Sequence, residues 1–262
     1  MISSTQNPKI KWLRLLQNDA RQRRAEQALV IEGVRLAEEA LRAGWKATLV
    51  IYTEDLGPRG RAVLEGYQAQ GAQLELISEA VLRAASDTQT PQGLVAALEW
   101  RSLPLNPNPD FIFIPDQIRD PGNLGTMLRS AAAAGANAAL LPPETVDPYA
   151  PKTLRAGMGA QFHLPIRVQT WDEIAANVGG LKIFLAAAGE GDPHTQIDFR
   201  SPLALIVGGE AEGASPEARR LAQACVHIPM PGDSESLNAA VAAGILLFEV
   251  VRQRQKPSTK IT

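Results

Sequence analysis

Ile206-Val-Gly-Gly-Glu-Ala-Glu-Gly213 closes an apolar run that begins at Leu203. A continuous apolar run of this length reads as a strand buried on both faces, as in a parallel sheet covered by helices. Its exit through Gly208 and Gly209 leaves the backbone free to turn and to approach a ligand closely. Two other stretches share this form. Asn123-Leu-Gly-Thr-Met-Leu-Arg129 comes after the run Phe111-Ile-Phe-Ile114, and Ile228-Pro-Met-Pro-Gly-Asp-Ser-Glu-Ser-Leu-Asn238 follows the strand-like Val226-His-Ile228. Each puts Gly, Asn, Ser, Arg or Glu at a strand's end, the edge where α/β proteins bind ligands.

Working outward, the second half alternates strands and helices. Leu124 to Ala134 reads as a helix stopped by Gly135. Ala138–Leu141 and Leu181–Ala187 read as strands, and Pro151–Gly157 and Trp171–Asn177 as short helices. Pro216–Ala224 is a helix that Ser215 can cap. A long amphipathic helix, Leu237 to Arg254, closes the chain, with Ser236 as its expected N-cap and Asn238 in its first turn. The nine residues Arg101-Ser-Leu-Pro-Leu-Asn-Pro-Asn-Pro109 can continue neither a helix nor a central strand. They mark a linker at 101–109 between a domain at 1–100 and a domain at 110–262. The first domain also alternates: strands at 28–31, 47–52, 74–77 and 94–98, helices at 33–43, 61–70 and 79–85. That pattern predicts a three-layer α/β module.

Composition narrows the function. The 262 residues are 45% hydrophobic, enough for an ordinary buried core. A single cysteine, Cys225, excludes a disulfide framework and reads as a small core residue. With no signal-like leader and no run of membrane-spanning length, a soluble cytoplasmic protein with no membrane partner is expected. The net charge is −2, yet residues 1–24 hold Lys9, Lys11, Arg14, Arg21, Arg23 and Arg24 against Asp19 alone. Such a cluster suits phosphate contacts or a solvated helix face.

His163, His194 and His227 stand apart with no ligand spacing, so no metal site is expected. Asp116 and Asp120 read as helix caps rather than Mg²⁺ ligands. A dinucleotide fingerprint needs Gly-x-Gly-x-x-Gly opening a helix. Here Gly208, Gly209 and Gly213 precede a helix that starts only near Pro216, which disfavours a nicotinamide oxidoreductase. Arg129, set among Met127, Leu128 and Ala131–Ala134, needs a partner or solvent. Either a carboxylate such as Glu210 or a bound phosphate would satisfy its planar fork.

In this order the three stretches resemble the SpoU (TrmH-type) branch of the SPOUT RNA methyltransferases. The resemblance extends to Asn7-Pro8-x-Ile10-Lys11, Glu32-Gly33, Thr90-Pro-Gln-Gly93, Leu154-Arg-Ala-Gly-Met-Gly159 and Phe162-His-Leu-Pro165. It implies an N-terminal RNA substrate-binding α/β domain and a C-terminal α/β-knot catalytic domain, a parallel sheet with a trefoil knot that is rare among folds. It further implies bent S-adenosylmethionine held by Gly208, Gly209, Ile228, Met230 and Leu237. Asn123, Arg129, Glu210, Ser236 and Asn238 would form the catalytic set. A homodimer through the last helix is implied too.

The reaction would be methyl transfer to a ribose 2′-hydroxyl of RNA, with 23S ribosomal RNA favoured. Transfer RNA, or an inactive RNA-binding homologue, are the alternatives. Arg129 is given the base role in such enzymes, but a permanently protonated side chain fits phosphate binding and alkoxide stabilisation better. One departure is local: relatives often read Ser-Leu-Asn-Val-Ser where this chain has Ser236-Leu-Asn-Ala-Ala240, so a second serine is missing.

Overall fold

The structure is a computed structural model that describes residues 1–88, 90–209, 213–233 and 236–255. It divides into two compact units, one of residues 1–102 with 147–163 and one of 103–146 with 164–262.

The first unit is built from α1 (Pro8–Asn18), α2 (Ala20–Ala25), β1 (Ala28–Glu32), α3 (Val34–Arg42), β2 (Ala47–Tyr52), α4 (Pro58–Ala69), β3 (Gln73–Leu76), α5 (Glu79–Ala85) and β4 (Leu94–Glu99). Its sheet order is β1-β4-β2-β3, with β4 antiparallel to both neighbours and β3 parallel to β2. Alternate strand residues feed opposite faces. Leu29, Ile31, Val50, Leu94, Ala96 and Leu98 meet α3 and α4. Ala28, Val30, Leu49, Ile51, Val95 and Ala97 meet α1 and α5. Three layers result, as the alternation predicts.

Segment 147–163 is an excursion that belongs to this unit. The Trp45 indole donates to the Phe162 carbonyl at 3.2 Å, and Trp100 packs at a tilt of 59° against Tyr149 with ring centroids 4.5 Å apart. Buried Arg23 donates to Asp147 and to the carbonyls of Leu16 and Gln17.

The second unit carries β5 (Phe111–Asp116), α6 (Pro121–Ala133), β6 (Ala138–Leu141), β7 (Ile166–Val168), α8 (Trp171–Asn177), β8 (Lys182–Ala186), β9 (Asp192–Pro193), β10 (Leu203–Gly208), α9 (Pro216–Leu221), β11 (Ala224–His227) and α10 (Ala239–Arg254); α7 (Pro151–Gly157) lies in the excursion. All strand pairs are parallel, in the order β7-β6-β5-β10-β8-β11-β9. Burial on both faces explains the unbroken apolar runs of β5 and β10. Phe111, Phe113, Leu203, Leu205 and Val207 pack with α6 and α10. Ile112, Ile114, Ala204 and Ile206 pack with α8 and α9.

From β5 the chain moves outward to β6 and β7, then returns to place β10 beside β5. The sheet therefore has a switch point at β5 and β10, where α/β sheets open a crevice.

Local readings need correction at the start of α10 and at Asp116. α10 begins at Ala239 and its N-cap is Asn238, whose side chain accepts from Ala240 N at 3.0 Å and Val241 N at 3.2 Å; Ser236 lies before it. Asp116 is no cap at a helix start but the last residue of β5. Asp120, by contrast, does cap α6, accepting from Asn123 N. His163 is half exposed beside Glu39.

Candidate active site

Register brings four strand ends to one edge. Asp116 of β5 pairs with Gly208 of β10, Val207 of β10 with Ala186 of β8, and Ala186 with Val226 of β11. Beyond that edge lies a cavity of about 320 Å³, inside the range of roughly 300–1,000 Å³ usual for small-molecule sites. Val207, Val226, Ile228, Leu237 and Leu246 give it an apolar floor. Glu190, Arg219, His227 and Ser236 stand among its polar groups.

All five residues expected to hold the cofactor, Gly208, Gly209, Ile228, Met230 and Leu237, line this one cavity, and Ser236 joins them. The glycines are there for a reason other than the one expected. A Cβ on Gly208 would stand 2.7 Å from the backbone nitrogen of Ala214, and one on Gly209 would stand 2.6 Å from the Gln117 carbonyl oxygen. Chain crossing chain, rather than ligand against chain, demands glycine at both positions. The wall that results is main chain, whose donors and acceptors suit a nucleoside.

The other expected residues separate. Asn238 donates to the Asn123 side-chain oxygen at 3.1 Å, joining the start of α10 to the first turn of α6 across 115 positions. Arg129 points outward on α6, exposed, with no ion pair or hydrogen bond to another described residue. Exposure resolves the burial question: solvent takes up its charge. Glu210 lies outside the described residues, so the suggested Arg129–Glu210 pair does too.

Behind the edge, Asp116 is fully buried. One of its oxygens accepts the Ser215 N–H at 2.7 Å and the other, Oδ1, has no hydrogen-bond partner among the described residues. Burial pushes its carboxyl up from the usual range, and the Ser215 hydrogen bonds oppose that. Ser215 in turn caps α9. Asp116 thus ties the start of α9 to the end of β5.

Sequence reasoning missed Glu190, Arg219, Ala242 and Leu246. The signal for Glu190 was present in Ala186-Ala-Ala-Gly-Glu190, a strand running out through glycine into an acid. Arg219 and the α10 residues reach the cavity from helices and have no local signature. Among the described residues, no group of three or more His, Cys, Asp or Glu could hold a metal, and no helix is long and apolar enough to cross a membrane.

Comparison with known proteins agrees with this arrangement. Residues 110–248 match the model of the SpoU rRNA Methylase family, and residues 7–96 match the MRM3-like substrate binding domain. The chain is 33% identical to the 23S rRNA (guanosine(2553)-2′-O)-methyltransferase RlmP of Bacillus subtilis, over 95% of this chain and 98% of that protein. Among solved structures, an AdoMet-bound rRNA methyltransferase from Sinorhizobium meliloti superposes with a TM-score of 0.85 at 33% identity, covering 97% of this chain and 98% of that one. The SpoU methyltransferase AviRb from Streptomyces viridochromogenes, in complex with AdoMet, gives 0.84 at 28% identity over 95% and 98%. With the family model spanning the whole seven-stranded sheet and full-length relatives above 30% identity, the chain belongs to the SpoU rRNA methylase family.

Proposed function

We propose that the protein transfers a methyl group from S-adenosylmethionine to a ribose 2′-hydroxyl of ribosomal RNA, with 23S RNA the favoured target. The observation that carries this reading is the cavity lined by the second and third sequence blocks, with an apolar floor and a main-chain wall, to which the first block is tied through the Asn123–Asn238 bond. Bound there, S-adenosylmethionine supplies a methyl group that its sulfonium has already made electrophilic. The protein's work is then alignment and charge.

Gly208, Gly209, Ile228, Met230 and Leu237 hold the adenosine. Arg129, exposed and permanently charged, binds the target's phosphate and stabilises the alkoxide as the hydroxyl proton leaves to phosphate or water. The Asn123–Asn238 bond fixes the α6–α10 junction beside it. Ser236 and Glu210 order the cofactor loops and Arg129. The unit completes its site as a homodimer, and the knotted threading of the sheet goes with the same reading. A cytoplasmic location goes with the bacterial 23S target.

The test is to incubate the protein with S-adenosylmethionine and ribosomal or transfer RNA, then map 2′-O-methylation. One methylated ribose in large-subunit RNA, lost with Arg129→Ala, is expected. Methylation of transfer RNA alone, or an unimpaired Arg129→Ala, overturns the corresponding assignment. Ala242, half-buried on α10, also lines the cavity. Ala242→Phe should fill it and abolish cofactor binding in a calorimetric titration.

A further inference from the structure

Glu190 and Arg219 lie on the rim of the cavity, and nothing in the three sequence blocks accounts for them. They form a forked ion pair, Nη1 to Oε2 at 2.9 Å and Nη2 to Oε1 at 3.1 Å. Both side chains are about half exposed, 47% and 48%, so the pair contributes little to stability.

Its mounting, however, is rigid. Gly191, the next residue, has φ +70°, and a Cβ there would stand 2.0 Å from the Cys225 carbonyl oxygen. Asp192 then pairs with Val226, and His227 Nδ1 sits 3.1 Å from the Gly191 carbonyl. The turn that carries Glu190 is thereby clamped to β11. The Arg219 hydrogen bonds hold the Glu190 carboxyl below its ordinary range, so it is an acceptor only at neutral pH.

The Arg219 fork takes one lone pair of each carboxylate oxygen, and Cys225 Sγ lies 4.0 Å from Oε2, so Oε1 keeps the acceptor capacity for a further donor. A carboxylate acceptor beyond the end of a parallel strand suits a ribose hydroxyl. An acid after a strand plays that role toward ribose in dinucleotide-binding sheets. Among the described lining residues Glu190 is the one anion.

We propose that Glu190, oriented by Arg219, accepts the ribose 2′-hydroxyl of the S-adenosylmethionine adenosine and so selects a ribonucleoside. This rests on the cofactor lying in the cavity.

The test is calorimetric binding of three probes to the full chain and to Glu190→Ala. The probes are S-adenosylhomocysteine, its 2′-deoxyadenosyl analogue, and 5′-methylthioadenosine, which keeps the diol but lacks the amino-acid end. Wild type should bind the deoxy analogue about tenfold more weakly than S-adenosylhomocysteine, the usual effect of one lost charge-assisted hydrogen bond. Glu190→Ala should weaken S-adenosylhomocysteine and methylthioadenosine by similar factors and leave the deoxy analogue nearly unchanged, which removes the discrimination. A loss confined to S-adenosylhomocysteine would mean that Glu190 reads the amino-acid end, and would overturn the proposal. So would retention of full discrimination in Glu190→Ala. Ala242→Phe separates the two ideas: if it binds S-adenosylhomocysteine like wild type, the cavity is not the cofactor site and the underlying reading fails instead.

Discussion

Two buried charges carry different obligations from those their sequence context suggests. Asp116 looked like a cap because aspartate before a helix usually is one. Its place was decided by the register of β5 on β10, a long-range fact invisible in the local sequence. The folded carboxyl titrates above its unfolded value, so the stability it allows is fully present below the unfolded value, about 3.9, and is lost as pH rises through the folded one. Asp116→Asn should therefore gain stability relative to wild type between pH 3 and pH 7 in urea denaturation. A pH-independent difference would mean that burial does not perturb the carboxyl. Asp116→Ala, which leaves the buried Ser215 N–H unpaired, should cost about 1–3 kcal/mol at pH 7.

Arg23 gives the second case. It sits in the basic N-terminal cluster that suits phosphate contacts or a solvated helix face, yet it is 3% exposed and spends its donors on Asp147 and two carbonyls. Arg23→Ala strands the Asp147 carboxylate and should cost about 3 kcal/mol. Arg24→Ala, exposed next door, should leave the melting temperature unchanged and act, if anywhere, on RNA binding.

Elements with their own hydrophobic pattern were legible. β5, β10, α6 and α10 each carry an apolar run long enough to announce itself. β7 has three residues and β9 two. Strands that short exist because neighbours pair with them, so no periodicity reveals them. The excursion 147–163 has the same character: its anchors are Trp45, Trp100 and Arg23, far away in the sequence. The start of α10 shows how close local reasoning came. Ser236 and Asn238 are both good caps, and the loop geometry selects Asn238.

Asn238 also serves a second element through its amide, which donates to Asn123. Two substitutions separate these duties. Asn238→Ala removes the cap and should cost about 1 kcal/mol. Asn238→Asp keeps a capping oxygen but has no amide to donate. It should unfold within a few tenths of a kcal/mol of wild type and still methylate RNA poorly. If Asn238→Asp methylates as wild type does, the α6–α10 contact has no part in positioning the site.

At the scale of the whole molecule, alternation of strands and helices was enough to expect two α/β units. What covers them is a separate matter. An amphipathic surface helix has one apolar stripe, but α10 has two. Ala239, Ala240, Ala243, Leu246, Leu247 and Val250 face the core. Val241, Ile245 and Phe248, spaced four and three apart, share another face and are 51%, 37% and 49% exposed. Large apolar side chains aligned on one exposed helix face mark an association surface more often than chance scatter does. The homodimer expected from the family resemblance would lay this face against its copy about a two-fold axis, with each stripe meeting the other.

Charge placed in the stripe should then break the dimer without unfolding the chain, because Val241 and Phe248 are half exposed and lie outside the core cluster. Sedimentation velocity should give about twice the 28.1 kDa chain mass for wild type and 28.1 kDa for the double variant Val241→Asp, Phe248→Asp. The cavity is lined from within one chain, so the monomeric variant should still bind S-adenosylmethionine. It should lose methylation if Arg129 acts across the interface on the partner's cofactor, and keep it if each chain is self-sufficient. A wild-type protein that sediments at 28.1 kDa at micromolar concentration would leave the second stripe of α10 to some other partner.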